Sequence, residues 1–255
     1  MRLATYNIWN SKRGMPERKD HIINEIKQLK ADVIALQEVP NAAFSKDLKD
    51  QIGYGHEVFA AHDGYEEGLT LLSKHPILKA EAHENVLLTV VDVAGIKMAL
   101  VNVHYPYDSA LAKEKGAIHS QDIALDQEVS FRFILGDFNC DDSSSVHHFL
   151  KGARSLHGAE AKPYWIDLGE VAEEHHGFTL VPTLDLKTNP RWKDDIATDT
   201  SARVDCIFLH DCFPGAYPVM TSYENFGKEV HRSTGLCSSD HYGIVVDLQL
   251  PEEKK

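Results

Sequence analysis

Phe131-Arg-Phe-Ile-Leu-Gly-Asp137-Phe-Asn139 is the stretch that limits the fold most. Val129, Phe131, Phe133, Ile134 and Leu135 are apolar and mostly bulky, which suits a strand packed between two layers. Gly136 lets the backbone turn at its end. Asp137 and Asn139 stand two apart, so in a continuing extended chain they point the same way. An Asp and an Asn sharing one face at a strand exit can hold a water and an anionic oxygen together. The same pair also makes an ordinary turn by bonding its own backbone. This stretch alone leaves both readings open.

Other apolar runs end in the same style. Leu3 to Ile8 predicts a first strand leaving through Asn7-Ile-Trp9-Asn10. Pro16 opens a helix with Ile22, Ile23, Ile26 and Leu29 on one stripe. A second buried strand runs from Ala31 to Glu38 and a helix from Asn41 to Gln51. Strands follow at His56–Ala61 and Glu67–Ser73, then at Ile77–His83, Val86–Val93 and Ile96–His104, the last two joined by the turn Ala94-Gly95. A weaker helix covers Ser109 to Gln127 and is interrupted by Gly116; another starts at Ser143. Residues 152–202, with Pro163, Pro182 and Pro190, are the least regular. Strands are then expected at Ala202–Leu209, at 217–226 and at Tyr242–Leu250, before a loose polar tail from Pro251 to Lys255. With no linker or repeat in view, residues 1–255 form one expected domain. Hairpins mixed with strand-helix-strand units predict an α/β fold of two packed mixed β-sheets flanked by helices.

Charge and thiols narrow the function. Acids exceed bases by 13, which argues against a protein gripping long duplex nucleic acid through a basic face. No run approaches a membrane span, and the N-terminus does not have the form of a signal peptide. Cys140, Cys206, Cys212 and Cys237 have no zinc-like spacing, so reduced thiols in a cytoplasmic protein are expected. His147-His148 and His175-His176 read as surface pairs. Nothing demands an oligomer, and a monomer satisfies the sequence.

The polar residues at strand ends are Asn7, Glu38, His104, Asp137, Asn139, Asp205, Asp240 and His241. Each has a structural alternative: Glu38 can start a helix, Asp205 can pair with Arg203, and His241 can be a satisfied core histidine. Together they call for a cation or a catalytic purpose, because clustered acids are costly to bury. They are expected to converge at one end of the fold.

Thr5-Tyr-Asn7, Leu36-Gln-Glu38-Val, Val103-His104-Tyr, Leu135-Gly-Asp137-Phe-Asn139, Arg203-Val-Asp205-Cys-Ile-Phe and Ser239-Asp240-His241-Tyr form an ordered set. That set resembles the endonuclease/exonuclease/phosphatase superfamily. The resemblance implies a four-layered α/β sandwich and Mg²⁺- or Mn²⁺-dependent hydrolysis of phosphoesters. It makes Glu38 the main metal carboxylate, with Asn7 and Asp240 beside it. His241 becomes a general base or stabilises the pentacovalent phosphate, oriented by a carboxylate, and Asp205 joins the catalytic set. Asp137 orients or deprotonates the water, and Asn139 holds a phosphate oxygen. His104 matches the deoxyribonuclease and sphingomyelinase branch, and Glu67 resembles the carboxylate paired with that histidine. The Gly-Asn-His-Glu or -Asp segment of calcineurin-like phosphoesterases is absent.

The resemblance implies that substrate choice lies in loops, and the candidate is 178–202, where Lys187, Arg191, Trp192 and Lys193 could grip a phosphate and stack a base or simply be solvated. The first expectation is a phosphodiesterase for a small or lipid-like substrate. The alternatives are a nuclease and a non-catalytic binding protein on the same fold.

Overall fold

A computed structural model describes residues 1–193 and 199–251. The expected loose end at 252–255 and part of loop 178–202 therefore lie outside the described residues.

Two mixed sheets of six strands form. In one, β1 (Arg2–Asn7) and β2 (Val33–Val39) lie at the centre, flanked by β12 (Gly243–Gln249) and β11 (Val219–Phe226) on one side and by β4 (Gly68–Ser73) and β3 (His56–Ala61) on the other. In the second the order is β5 (Ile77–His83), β6 (Val86–Val93), β7 (Ile96–His104), β8 (Phe131–Asp137), β10 (Asp205–His210) and β9 (Trp165–Asp167).

Alternation along the central strands builds the layers. Leu3, Val33, Ala35, Leu100, Phe133, Leu135, Ile207 and Val246 meet in the core between the sheets. Ala4, Tyr6, Ile34 and Leu36 face outward onto α1 (Glu17–Leu29) and α2 (Ala42–Ile52). Val101, Val103, Ile134 and Phe208 face outward onto α3 (Ala110–Leu125) and α4 (Ser145–Leu150). This is the four-layered α/β sandwich. Burying each Val, Leu, Ile or Phe of the central layers contributes ~1.5–3 kcal/mol.

Between the sheets runs a polar seam. Gln37 Nε2 donates to Thr5 Oγ1 at 3.0 Å and, across the gap, to Asn102 Oδ1 at 2.7 Å. Asn102 Nδ2 donates to the Leu36 and Thr70 carbonyls at 3.0 and 3.1 Å. All these side chains are buried, so every bond replaces one that water would have made. The seam fixes the register of one sheet on the other beneath the polar strand ends.

Several local expectations are corrected. Gly116 does not interrupt its helix; α3 runs through it, and a Cβ there would meet the Tyr105 ring at 2.8 Å. The next helix begins at Ser145 rather than Ser143, with Ser144 Oγ accepting from the His147 N–H as its cap. The irregular stretch holds both β9 and α5 (Leu168–His176). At three residues, β9 is too short to show a periodicity, and it is recruited by pairing with β10.

Candidate active site

Strand direction explains why distant residues meet. β1 and β2 are parallel, with Asn7 beside Gln37, and β7 and β8 are parallel, with His104 beside Asp137. β10 is antiparallel to β8 and starts where β8 ends, pairing Asp205 with Asp137. β12 is antiparallel to β1, so Asp240 and His241, just before it, come to the same rim. Ser239 Oγ locks the corner by donating to the Asn7 carbonyl at 2.7 Å and accepting from the His241 N–H at 3.1 Å.

Asp137 sits at the middle of the group. Its Oδ2 accepts from Asn7 Nδ2 at 3.0 Å, and the same amide donates to Glu38 Oε1 at 2.9 Å. Asn7 Oδ1 is taken by the Trp9 N–H at 3.0 Å, which orients the amide. His104 Nε2 lies 3.7 Å from Asp137 Oδ2 and 3.9 Å from Glu38 Oε1, while His241 Nε2 lies 4.0 Å from Asp137 Oδ2. These gaps exceed hydrogen-bond range. On its far side, His241 Nδ1 is 2.9 Å from Asp205 Oδ2. A carboxylate only accepts, so Nδ1 carries the proton and Nε2 faces the site.

The backbone is bent to place these groups. Trp9, Glu38 and Asn139 all take positive φ, at 58°, 55° and 48°, a left-handed conformation that costs a non-glycine residue ~1–2 kcal/mol. At Glu38 the ladder between β2 and β4 breaks register, and this bulge turns the carboxylate to the rim. At Asn139 the chain does not continue extended. The Asn139 N–H donates to Asp137 Oδ1 at 2.8 Å, and Nδ2 donates to the Tyr105 carbonyl at 2.8 Å. The ordinary turn therefore forms, while Asp137 Oδ2 remains on the site.

Burial and, after it, the charge of Glu38 push Asp240 up to about 6 against the pull of His241. Burial also raises Asp205, opposed by His241. Burial alone would lower His241, but Asp205 and Asp137 hold it well above its ordinary value. The Glu38 charge thus conflicts with ionisation of the buried Asp240 carboxylate. A hard dication would relieve that conflict, so the donor set fits Mg²⁺ or Mn²⁺.

The profile of the Endonuclease/Exonuclease/phosphatase family matches residues 4–241. The chain belongs to that family. No curated protein gives a significant match to the sequence. Among solved structures, D. rerio TDP2 complexed with single strand DNA product is 19% identical, with 98% of this chain and 99% of that chain covered and a TM-score of 0.77. SmcL is 16% identical, with 98% and 99% covered and a TM-score of 0.70. An endonuclease/exonuclease/phosphatase family protein from Bacteroides thetaiotaomicron is 16% identical, with 97% of each chain covered and a TM-score of 0.71. At these identities the likeness shows the shared fold. As a member of the endonuclease/exonuclease/phosphatase family, the protein is a metal-dependent phosphoric ester hydrolase, which sets aside the non-catalytic alternative.

This family member straps its loop to the site. Asn189, buried, donates from Nδ2 to the Ser239 carbonyl at 2.9 Å, and Trp192 Nε1 donates to the Asp240 carbonyl at 3.1 Å. The Arg191 guanidinium lies over Trp192 and Trp9, 4.6 and 5.5 Å from the ring centres. These contacts correct the solvated alternative for residues 189–192. Lys187 and Lys193 are exposed; the Lys187 N–H closes a turn on Asp185.

Two residues missed in the sequence belong to this rim. Asn10 donates from its backbone to Glu38 Oε2 at 2.8 Å and from Nδ2 to Glu67 Oε2 at 2.5 Å. His62 lies beside His104 and Glu67, with ligand atoms of the trio within 4.8 Å of one another. Its signal was present, since it follows the strand ending at Ala61 just as the others follow theirs. Buried Arg18 holds the entry segment by donating to the Ile8, Trp9, Ser11, Arg13 and Ser238 carbonyls at 2.6–3.0 Å.

One surface expectation fails. His147 is fully buried, while His148 is exposed. Helical geometry turns neighbouring side chains about 100° apart, so only His147 meets Phe138 and Phe208. Arg203 pairs with Asp142 and Asp167 beside it, rather than with Asp205.

Proposed function

We propose that this enzyme is a phosphodiesterase acting on a small or lipid-like substrate. The observation that carries the reading is the arrangement around Asp137 Oδ2, with Asn7 at 3.0 Å and His104 and His241 at 3.7 and 4.0 Å. A water or phosphate oxygen seated among these groups has an acceptor for its proton on one side and imidazoles on two others.

In this reading Asp137 orients the attacking water and takes its proton as the oxygen bonds to phosphorus and the ester P–O bond breaks. Asn7 fixes the Asp137 and Glu38 carboxylates. Asp205 keeps His241 in one tautomer and supports its positive charge, which faces the charge growing on the phosphate. His104, with Glu67 behind it, faces the same Asp137 oxygen. Asn139 has a second Nδ2 hydrogen for a phosphate oxygen. Glu38 and Asp240, with Asn7 beside them, would hold the Mg²⁺ or Mn²⁺, which supplies charge neutralisation and polarises the phosphoester.

Charge supports the small substrate. A duplex demands counterion replacement by Lys and Arg along its length, whereas acids here exceed bases by 13. The Arg191–Trp192–Trp9 stack favours a second reading, a nuclease for single strands, because cation-backed aromatic faces accept unpaired bases. Free cysteines support a reducing compartment. Among the described residues, no helix is long and apolar enough to cross a membrane.

A panel of a chromogenic phosphodiester, a phosphomonoester, plasmid, single-stranded DNA, RNA and sphingomyelin, at low salt with Mg²⁺ and with Mn²⁺, tests the proposal. Turnover of the small diester or the lipid above all nucleic acids is expected. Efficient cutting of single strands or plasmid with little small-ester turnover would put the nuclease first.

A further inference from the structure

We infer that His62, Glu67 and His104 form a second metal site, for a transition-metal dication such as Zn²⁺, separate from the Glu38–Asp240 pair. Their ligand atoms lie within 4.8 Å of one another, and the two imidazole rings are 5.5 Å apart at their centres. Two imidazoles and one carboxylate, with positions left open for water or substrate, are a common ligand set for catalytic zinc. They suit a borderline metal better than Mg²⁺, which prefers oxygen ligands.

The surrounding contacts have the form that metal ligands need. His62 Nδ1 is 3.2 Å from the Glu84 carbonyl. A carbonyl only accepts, so Nδ1 carries the proton and Nε2 offers a lone pair. Nε2 is buried and has no hydrogen-bond partner. An imidazole held by a backbone carbonyl through one nitrogen and presenting the other is the usual arrangement around a bound metal. The Glu67 carboxylate is likewise oriented, by Asn10 Nδ2 at 2.5 Å. The cluster of Asp142, His147, Asp167 and Cys206 has no such opening, because Arg203 hydrogen-bonds both of its carboxylates. His104 Nε2 also lies 3.7 Å from Asp137 Oδ2, so an ion held by this trio would stand against the reacting centre.

The test is metal binding by the full chain, read without substrate. Chelator-stripped protein is titrated with Co²⁺, followed by visible absorption, and with Zn²⁺, followed by equilibrium dialysis. Wild type, Glu38→Gln, His62→Ala and Glu67→Gln are compared, and thermal melts check folding. Wild type and Glu38→Gln should both show the visible Co²⁺ band and the tighter Zn²⁺ site. His62→Ala should lose the band and bind Zn²⁺ at least tenfold more weakly. If His62→Ala fails to fold, Glu67→Gln serves as the second ligand variant and should show the same loss. Unchanged binding in a folded ligand variant would overturn the proposal. So would loss of the site in Glu38→Gln, or a sulfur-to-cobalt band placing the metal on cysteine.

Discussion

The His241–Asp205 hydrogen bond joins the two sheets: Asp205 opens β10 in one, and His241 stands just before β12 in the other, with Nδ1 2.9 Å from Oδ2. Asp205 Oδ1 is buried without a hydrogen-bond partner, so this carboxylate is satisfied mainly through the histidine. The pair fixes the orientation of the imidazole and pins the sheets at the rim.

Asp205→Asn keeps the shape and removes the charge. The His241 pKa should fall toward its ordinary range, because Asp205 is the strongest influence raising it against burial. Turnover on any working substrate should drop by at least ~10²-fold, the scale of one acid–base group. Imidazole NMR titration and steady-state kinetics on the same samples check both. A turnover loss with an unmoved His241 titration would leave Asp205 with a structural role only.

Glu38→Ala should weaken Mg²⁺ dependence most among the rim substitutions. Glu38 is tied by Asn7 Nδ2 and the Asn10 N–H, at 2.9 and 2.8 Å, and its charge acts on Asp240. The activity-versus-Mg²⁺ curve should shift at least tenfold to higher concentration, the scale of a lost metal-orienting interaction, and excess chelator should abolish wild-type turnover. An unshifted curve would move the metal elsewhere.

Most of this rim was legible because its residues end apolar runs. Asn7, Glu38, His104 and Asp137 each close a central strand, and that pattern survives in sequence. What stayed hidden depends on tertiary contact. Nothing near Gln37 and Asn102 announces a hydrogen bond between sheets. Arg18 reads as an ordinary helix charge until the chain folds its carbonyl acceptors around it. Asn139 was ambiguous because turn and site use the same side chains, and the structure uses both. β9 exists only through β10, and the burial of His147 follows from a helix phase that a six-residue element sets too briefly to read.

Gly136→Ala should prevent stable folding. Gly136 has φ +139°, and an added Cβ would lie 2.1 Å from the Val103 carbonyl oxygen in the neighbouring parallel strand. The three nearest atoms are all Val103 backbone, which leaves nothing flexible to yield. A loss of more than ~4 kcal/mol is expected, in the range reserved for severe backbone conflicts. Urea unfolding checks it, and a near-wild-type midpoint would show that β7 and β8 can separate locally without cost.

Burial pushes Glu25 up to about 7 from an ordinary 4.5, against hydrogen bonds from Ser238 and Tyr6. In the folded protein this group therefore holds its proton up to near neutrality, while in the unfolded chain it ionises near 4.5. Its contribution to stability is full below the unfolded value and is lost as pH rises through about 7. A displacement of this size corresponds to at most ~3 kcal/mol. Glu25→Gln keeps an acceptor for the Tyr6 hydroxyl, which lies 3.3 Å from Oε2, and removes the titration. The variant and wild type should have similar stability at pH 4.5, and the variant should be more stable at pH 8, by up to ~2–3 kcal/mol. Taking the difference between the two proteins cancels the opposite trend of carboxylates such as Asp32, whose pKa is lowered despite burial by the Arg2 N–H and Lys74. Denaturant midpoints across that range are the measurement. A difference that stays flat with pH would mean that Glu25 is ionised in the folded protein too, paired with His231, whose Nε2 is 3.5 Å away.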